Sequence, residues 1–224
     1  DVAIILKRFD RYYGKDSVGN VLPFLDAIEI KFIKDRKAEL LEFKKGNFEM
    51  IYRLPTDQII EIVEDAMDKS KNGEYTKYQM QREPEMSTHY LMFNMEHELF
   101  KNKNLRKALS FAIDRTKILE FVLQGEGFKP GINGITPPTF DGYDINKIKG
   151  YDINPDSARY YLAKAGFPGG KGLPKLTLHL NPDAERNVAV AQEIQKQLLD
   201  VLNIELQVEV MPLAQHLENI IQGK

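Results

Sequence analysis

Apolar and polar residues alternate with period two in three stretches. These are Ile28, Ile30 and Phe32 around Glu29 and Lys31; Leu176, Leu178 and Leu180 around Thr177 and His179; and Ile204, Leu206, Val208 and Val210 around Glu205, Gln207 and Glu209. Successive strand side chains point to opposite faces, so each stretch predicts a β-strand that buries one face. Less regular runs at Ala3 to Leu6, Phe48 to Ile51, Tyr75 to Gln81 and His89 to Asn94 predict further strands through their β-branched and aromatic content.

Spacings of three and four predict helices elsewhere. The first runs from about Leu105 to Leu123, with Leu105, Ala108, Leu109, Ala112, Ile113 and Val122 on one side, Asn104 as its N-cap and Gly125 placed to end it. A second starts with Asn154 as cap and Pro155 at its first position, turns Ala158, Tyr161, Leu162 and Ala165 inward and stops at Gly166. The third, Ala184 to Val201, carries Val188, Ala191, Ile194, Leu198 and Val201 on one stripe. Thr56 to Asp68 and Leu213 to Gln222 read as two more. Strand 176–180, helix 184–201 and strand 204–210 make a β-α-β unit, which calls for a sheet with helices packed on it. The polar stretch Lys69 to Glu74 reads as loop, and the proline- and glycine-rich Gly125 to Gly150 reads as an ordered surface lobe, too long for a bare connector.

Composition narrows the function class. Of 224 residues, 42% are hydrophobic and 29% charged, which is ordinary for a globular chain. Thirty-one Lys and Arg against thirty-three Asp and Glu leave a formal charge of −2, with no basic excess to hold a phosphate backbone. There is no cysteine, which removes disulfides, thiolate nucleophiles and cysteine-based zinc sites. No apolar run reaches the roughly 20 residues that cross a bilayer.

Several stretches resemble chemistry without completing it. The run Gly166 to Gly172 resembles a phosphate loop, but Ala165 holds the first required glycine position and Gly172 that of the magnesium-touching hydroxyl; it reads as a helix stop and turn. Asp144-Ile145-Asn146 resembles the start of a calcium loop, but Ile148 and Lys149 stand where an oxygen ligand and a sharp-turn glycine belong. His89, His97, His179 and His216 are scattered without metal-ligand spacing, and no Gly-x-Ser-x-Gly elbow is present. His179, on the polar face of its strand, reads as solvated or singly hydrogen-bonded. Tyr143, Tyr151, Tyr160 and Tyr161 form an aromatic-rich patch that reads chiefly as packing, with Tyr161 facing inward.

An ordered series of motifs carries more weight than any of these. Arg11-Tyr12-Tyr13-Gly14 precedes Pro23-Phe24-Leu25-Asp26-Ala27-Ile28, then come Phe43 with Gly46-Asn47-Phe48-Glu49 and the passage Tyr90-Leu91-Met92-Phe93-Asn94. Leu105 to Arg115 (LRKALSFAIDR) follows, then Gln124-Gly125-Glu126-Gly127, Thr136-Pro137-Pro138, and Tyr151-Asp152 leading through Ala158 and Leu162 to Ala165-Gly166. In order and approximate spacing the set resembles the family-5 extracellular solute-binding proteins of ABC importers, the oligopeptide, dipeptide and nickel binders, over nearly the whole chain.

That resemblance implies an α/β fold of the type II periplasmic-binding-protein kind, with parts of two lobes and mixed sheets with packed helices. Residues 1–86 would be part of the first lobe and 87–224 part of the second, which closes on the ligand. It further implies an internal fragment of a longer, monomeric protein, periplasmic or at the cell surface and anchored as a lipoprotein. Such a protein binds a peptide or related small solute and delivers it to a membrane permease, without enzymatic chemistry, cofactor, metal or nucleic acid. Within this chain the ligand-facing loop after strand 176–180 would hold Asn181, Asp183 and Arg186, the arginine pairing with a peptide carboxylate. The alternatives are a peptide hydrolase on the same scaffold and a docking or sensing module without transport.

Overall fold

The computed structural model describes residues 3–64, 78–181 and 185–223. They fall into two compact units, Asp1–Gln58 and Ile59–Lys224.

In the first unit, strands β1 (Ala3–Lys7) and β2 (Ala27–Lys31) pair antiparallel, with Ile4 opposite Ile30 and Leu6 opposite Ile28. The four share one face, as the alternation requires. The expected burial of that face is not seen: Ile4 is 45% exposed and Ile28 48%. A two-stranded ribbon has no second layer of its own to cover an apolar face. Helix α1 (Arg36–Lys45) is capped by Asp35, whose carboxylate accepts the Ala38 N–H at 2.8 Å, and it buries Leu40. Residues 48–51 are not a strand.

Of the helix expected over Thr56 to Asp68, a 3-10 turn Thr56–Gln58 and helical residues 59–64 are present; 65–68 lie outside the described residues. The strand expected at Tyr75 to Gln81 is absent over 78–81, and its first three residues lie outside the described ones. Nor do residues 89–94 form a strand. Sequence pattern supplies the faces of a strand but not the ladder partner, and the described residues offer none at these positions.

The second unit is built on helix α2 (Lys103–Ala112), helix α3 (Pro155–Lys164) and the unit β3 (Leu176–Leu180), α4 (Glu185–Leu202), β4 (Leu206–Val210). β3 and β4 pair parallel, Leu176 opposite Leu206 and His179 opposite Glu209. Leu105, Ala108, Leu109 and Ala112 of α2 join Ala158 and Leu162 of α3 and Ile194, Leu198 and Leu202 of α4 in one buried cluster. Three of these, Ala108, Ala112 and Ala158, are alanines with no exposed surface, which lets the backbones of α2 and α3 approach closely. A final helix, α5 (Leu213–Ile221), follows β4.

The helix expected from Leu105 to Leu123 is broken. Ile113 is extended, and Asp114 starts a new turn by accepting the Lys117 N–H at 2.8 Å, after which Ile118–Val122 forms a π turn. The break has a tertiary cause: the Asp114 N–H donates at 2.7 Å to the Gln197 side chain on α4, a bond an uninterrupted helix would not offer. The N-cap is also shifted, from the expected Asn104 to Asn102. Its side chain accepts from Asn104 and Leu105 and donates to the Ala165 carbonyl at 3.0 Å, tying the start of α2 to the end of α3. Asn154 caps α3 as expected, accepting the Ser157 N–H at 2.8 Å.

Arg115 fills the gap left by the break, its guanidinium donating to the carbonyls of Ser110, Ile113 and Tyr151. Burial pushes this guanidinium below its ordinary value, while Asp152 opposes the shift. Tyr161 stacks on Phe111 at 5.8 Å and Tyr151 meets the same ring edge-on at 5.0 Å, so these two tyrosines pack as expected, while Tyr160 is 60% exposed.

On the other side of the break, Lys117 pairs with Glu193 of α4 at 2.7 Å, and Gln197 donates to the same carboxylate oxygen at 2.9 Å. Burial alone would raise the Glu193 carboxyl, but the bonds from Lys117 and Gln197 hold it below the usual carboxylate range. A depressed carboxylate stabilises the fold above its unfolded value, and that contribution is lost as pH falls through the folded value. Glu193→Gln is therefore expected to lower stability at neutral pH and to have little effect at a pH below the depressed folded value, where both forms are uncharged. Urea unfolding at the two pH values measures this; an equal loss at both would contradict the assignment.

Candidate functional site

The β3–α4–β4 unit directs attention to one end of its sheet. In open α/β sheets, ligands sit in the crevice beyond the carboxyl ends of parallel strands, where loops leave the sheet and helices begin. Here that end carries Asn181, immediately after β3, and Arg186, in the first turn of α4. Asp183, the third residue expected at the site, lies outside the described residues.

Arg186 is not a solvated surface arginine. Its Nη1 lies 2.8 Å from Oε1 of Glu126, and the two side chains are only 18% and 20% exposed. Its Nη2 comes within 3.5 Å of Nε2 of His89. A guanidinium only donates, so this approach is favourable when His89 presents Nε2 as a lone pair. Glu126 is delivered by a tight turn: Gln124 and Gly125 have φ of 48° and 72°, and the Gly125 N–H donates to the Leu119 carbonyl at 2.8 Å. The Gly125 carbonyl also accepts from the guanidinium of Arg82. Two arginines thus grip the turn at 125–126.

Glu126 and His89 were not found as site residues from sequence, since they stand 60 and 97 positions before Arg186 and no local pattern links them. The turn that carries Glu126 did stand out, as Gln124-Gly125-Glu126-Gly127. Beside the site, His179 lies 3.4 Å from Glu209, its direct cross-strand neighbour, consistent with a singly partnered histidine.

The other tempting motifs are structural. Gly166 to Gly172 is a helix stop followed by a 3-10 turn at Pro168–Gly170. Asp144 accepts the Asn146 N–H at 3.0 Å and opens a 3-10 turn, Ile145–Lys147. Among the described residues no group of three or more His, Asp or Glu converges to hold a metal, and no helix is long and apolar enough to cross a membrane.

Residues 1–224 match the family model described as "Bacterial extracellular solute-binding proteins, family 5 Middle". The chain is similar to the oligopeptide-binding protein OppA of Bacillus subtilis, 28% identical over 217 residues that make up 92% of this chain and 36% of OppA. It is similar to the glutathione-binding protein GsiB of Escherichia coli, 27% identical over 203 residues, 91% of this chain and 36% of GsiB. It therefore spans about a third of the length of these relatives. Among solved structures, the oligopeptide-binding protein AppA of Bacillus subtilis in complex with a nonapeptide superposes with a TM-score of 0.69 at 24% identity, over 98% of this chain and 42% of AppA.

Proposed function

This chain belongs to the bacterial extracellular solute-binding proteins of family 5, and from that premise we propose that it is the middle portion of a protein that binds peptides outside the cytoplasmic membrane and hands them to an ABC permease. Its α/β fold is that of the type II periplasmic binding proteins. The observation that carries the reading is a largely covered guanidinium, Arg186, at the carboxyl end of β3, the end at which such sheets take ligands. The relatives' names point to peptidic ligands: oligopeptide for OppA and glutathione, itself a peptide, for GsiB.

In this proposal residues 1–86 belong to the first lobe and 87–224 to the second, and Asn181, Asp183 and Arg186 contact the ligand. The asparagine and the guanidinium supply hydrogen bonds to peptide carbonyl or carboxylate oxygens, and binding energy comes from backbone hydrogen bonds and wet, tolerant side-chain pockets. No bond is broken, so the protein is a carrier and not an enzyme. It acts as a monomer, in the periplasm or at the cell surface, held there by a lipid anchor.

The test is to purify the full-length protein without unfolding it, then denature it and identify what is released by mass spectrometry. Short peptides at close to one per protein are expected. Release of a metal chelate, a haem or a sugar derivative in their place would refute the peptide assignment.

A further inference from the structure

We propose that Asn133 is a site of spontaneous deamidation in the folded protein, and that its conversion to aspartate or isoaspartate unlaces residues 132–133 from 148–151.

Asn133 is followed by Gly134 in the proline- and glycine-rich lobe. In such a pair the glycine nitrogen can attack the side-chain carbonyl carbon of the asparagine, because glycine has no β-carbon to crowd the attack or restrict the turn that ring closure needs. The structure leaves that nitrogen available. Gly134 is exposed, its φ of 114° lies where glycine is at ease, and among the described residues its N–H has no hydrogen-bond partner. Even a β-carbon placed there would meet nothing closer than 3.4 Å. The attacked side chain is partly exposed and donates one hydrogen bond, from Nδ2 to the Ile148 carbonyl at 2.8 Å. The chain's other Asn-Gly pair, Asn72-Gly73, lies outside the described residues.

Base in the solvent takes the Gly134 amide proton, and the nitrogen bonds to Cγ of Asn133. The Cγ–Nδ2 bond breaks, and Nδ2 leaves as ammonia with a proton returned through water, closing a succinimide ring. Water then opens the ring. Addition at Cγ breaks its new bond to the Gly134 nitrogen and gives aspartate; addition at the main-chain carbonyl carbon breaks the original peptide bond and gives isoaspartate. Nothing is oxidised or reduced.

The product reverses the chemistry of the contact. A carboxylate at neutral pH only accepts, so the Ile148 carbonyl loses this donor and faces a negative charge. Isoaspartate also inserts the side-chain methylene into the main chain. It does so beside Ile132, whose carbonyl oxygen is crowded by Gly150 and accepts the Tyr151 N–H at 3.2 Å.

The test incubates the native full-length protein in mildly alkaline buffer, with a parallel sample in urea, and follows position 133 by peptide mass spectrometry. Aspartate and isoaspartate are expected to accumulate there in the native sample, with one ammonia released per conversion. Converted molecules, separated by ion exchange, are expected to be cut by trypsin at the exposed Lys147 and Lys149 about tenfold faster than unconverted ones, the scale of losing one hydrogen bond and leaving a carbonyl unpaired. N133D is expected to show the same rise without incubation. Asparagine that persists at 133 in the native sample overturns the proposal, and conversion in urea alone would show that the fold shields the pair. Conversion that leaves cleavage at Lys147 and Lys149 unchanged overturns it too, because the Asn133 bond to Ile148 would then not hold the lobe.

Discussion

Leu162→Ala is expected to lower the unfolding free energy of the second unit by about 2–5 kcal/mol, the range for emptying a fully buried leucine site. Leu162 has no exposed surface and lies in the middle of α3, in the same buried cluster as Leu105 and Leu109 of α2 and Leu198 and Leu202 of α4. Three contributors to that cluster are helices held by fixed caps and tertiary bonds, such as Asn102 to Ala165 and Asp114 to Gln197, so the backbone cannot easily settle into the space. The cost should therefore lie toward the upper part of the range. Denaturant unfolding followed by circular dichroism measures it. A loss under about 1 kcal/mol would mean that the α2–α3 contact is looser than described. Tyr160→Ala, two positions away on the exposed side of the same helix, serves as the comparison and is expected to change stability little.

Gly150→Ala is expected to carry the next largest effect, about 1–3 kcal/mol or more, and to act locally. A β-carbon built at Gly150 would lie 1.6 Å from the carbonyl oxygen of Ile132, inside any permissible contact. The same oxygen accepts the Tyr151 N–H at 3.2 Å, and the Asn133 side chain donates to the Ile148 carbonyl at 2.8 Å, so residues 132–133 are laced to 148–151 where the glycine sits. Since the conflict is with backbone and not with a side chain that could swing away, the lobe must open. Faster tryptic cleavage at Lys147 and Lys149 in G150A than in the parent protein is the expected readout. Equal cleavage rates would show that the lobe tolerates the added methyl group.

The second unit was legible where structure is decided locally. The β3–α4–β4 unit and α3 carry clean periods of two or 3.6, and α3 has its own cap in Asn154 and Pro155. What failed to show in the sequence was decided at a distance. The break at Ile113 depends on Gln197, more than eighty positions later, while every residue from Leu105 to Leu123 is compatible with helix. Residues 48–51 and 89–94 have strand-like composition, but among the described residues they have no ladder partner. β2 alternates as a strand with a buried face would, and yet the apolar face it shares with β1 lies open, because alternation states which side is apolar and not what covers it.

The candidate site divides in the same way. Arg186 and Asn181 were reached through the resemblance and through their position after β3. The partners that give Arg186 its character, Glu126 and His89, come from distant parts of the chain. A basic residue early in a helix gives no sign in the sequence that a carboxylate 60 residues upstream already holds it.

In the proposed function this chain is part of a carrier that binds peptide and leaves it intact. Calorimetric titration of a mixed di- to pentapeptide pool into the full-length protein, with mass spectrometry of the peptides afterwards, tests it most directly. Saturable heat with the peptides recovered unchanged is the expected result; peptides that come back cleaved, or a pool that gives no heat at any length, would contradict it.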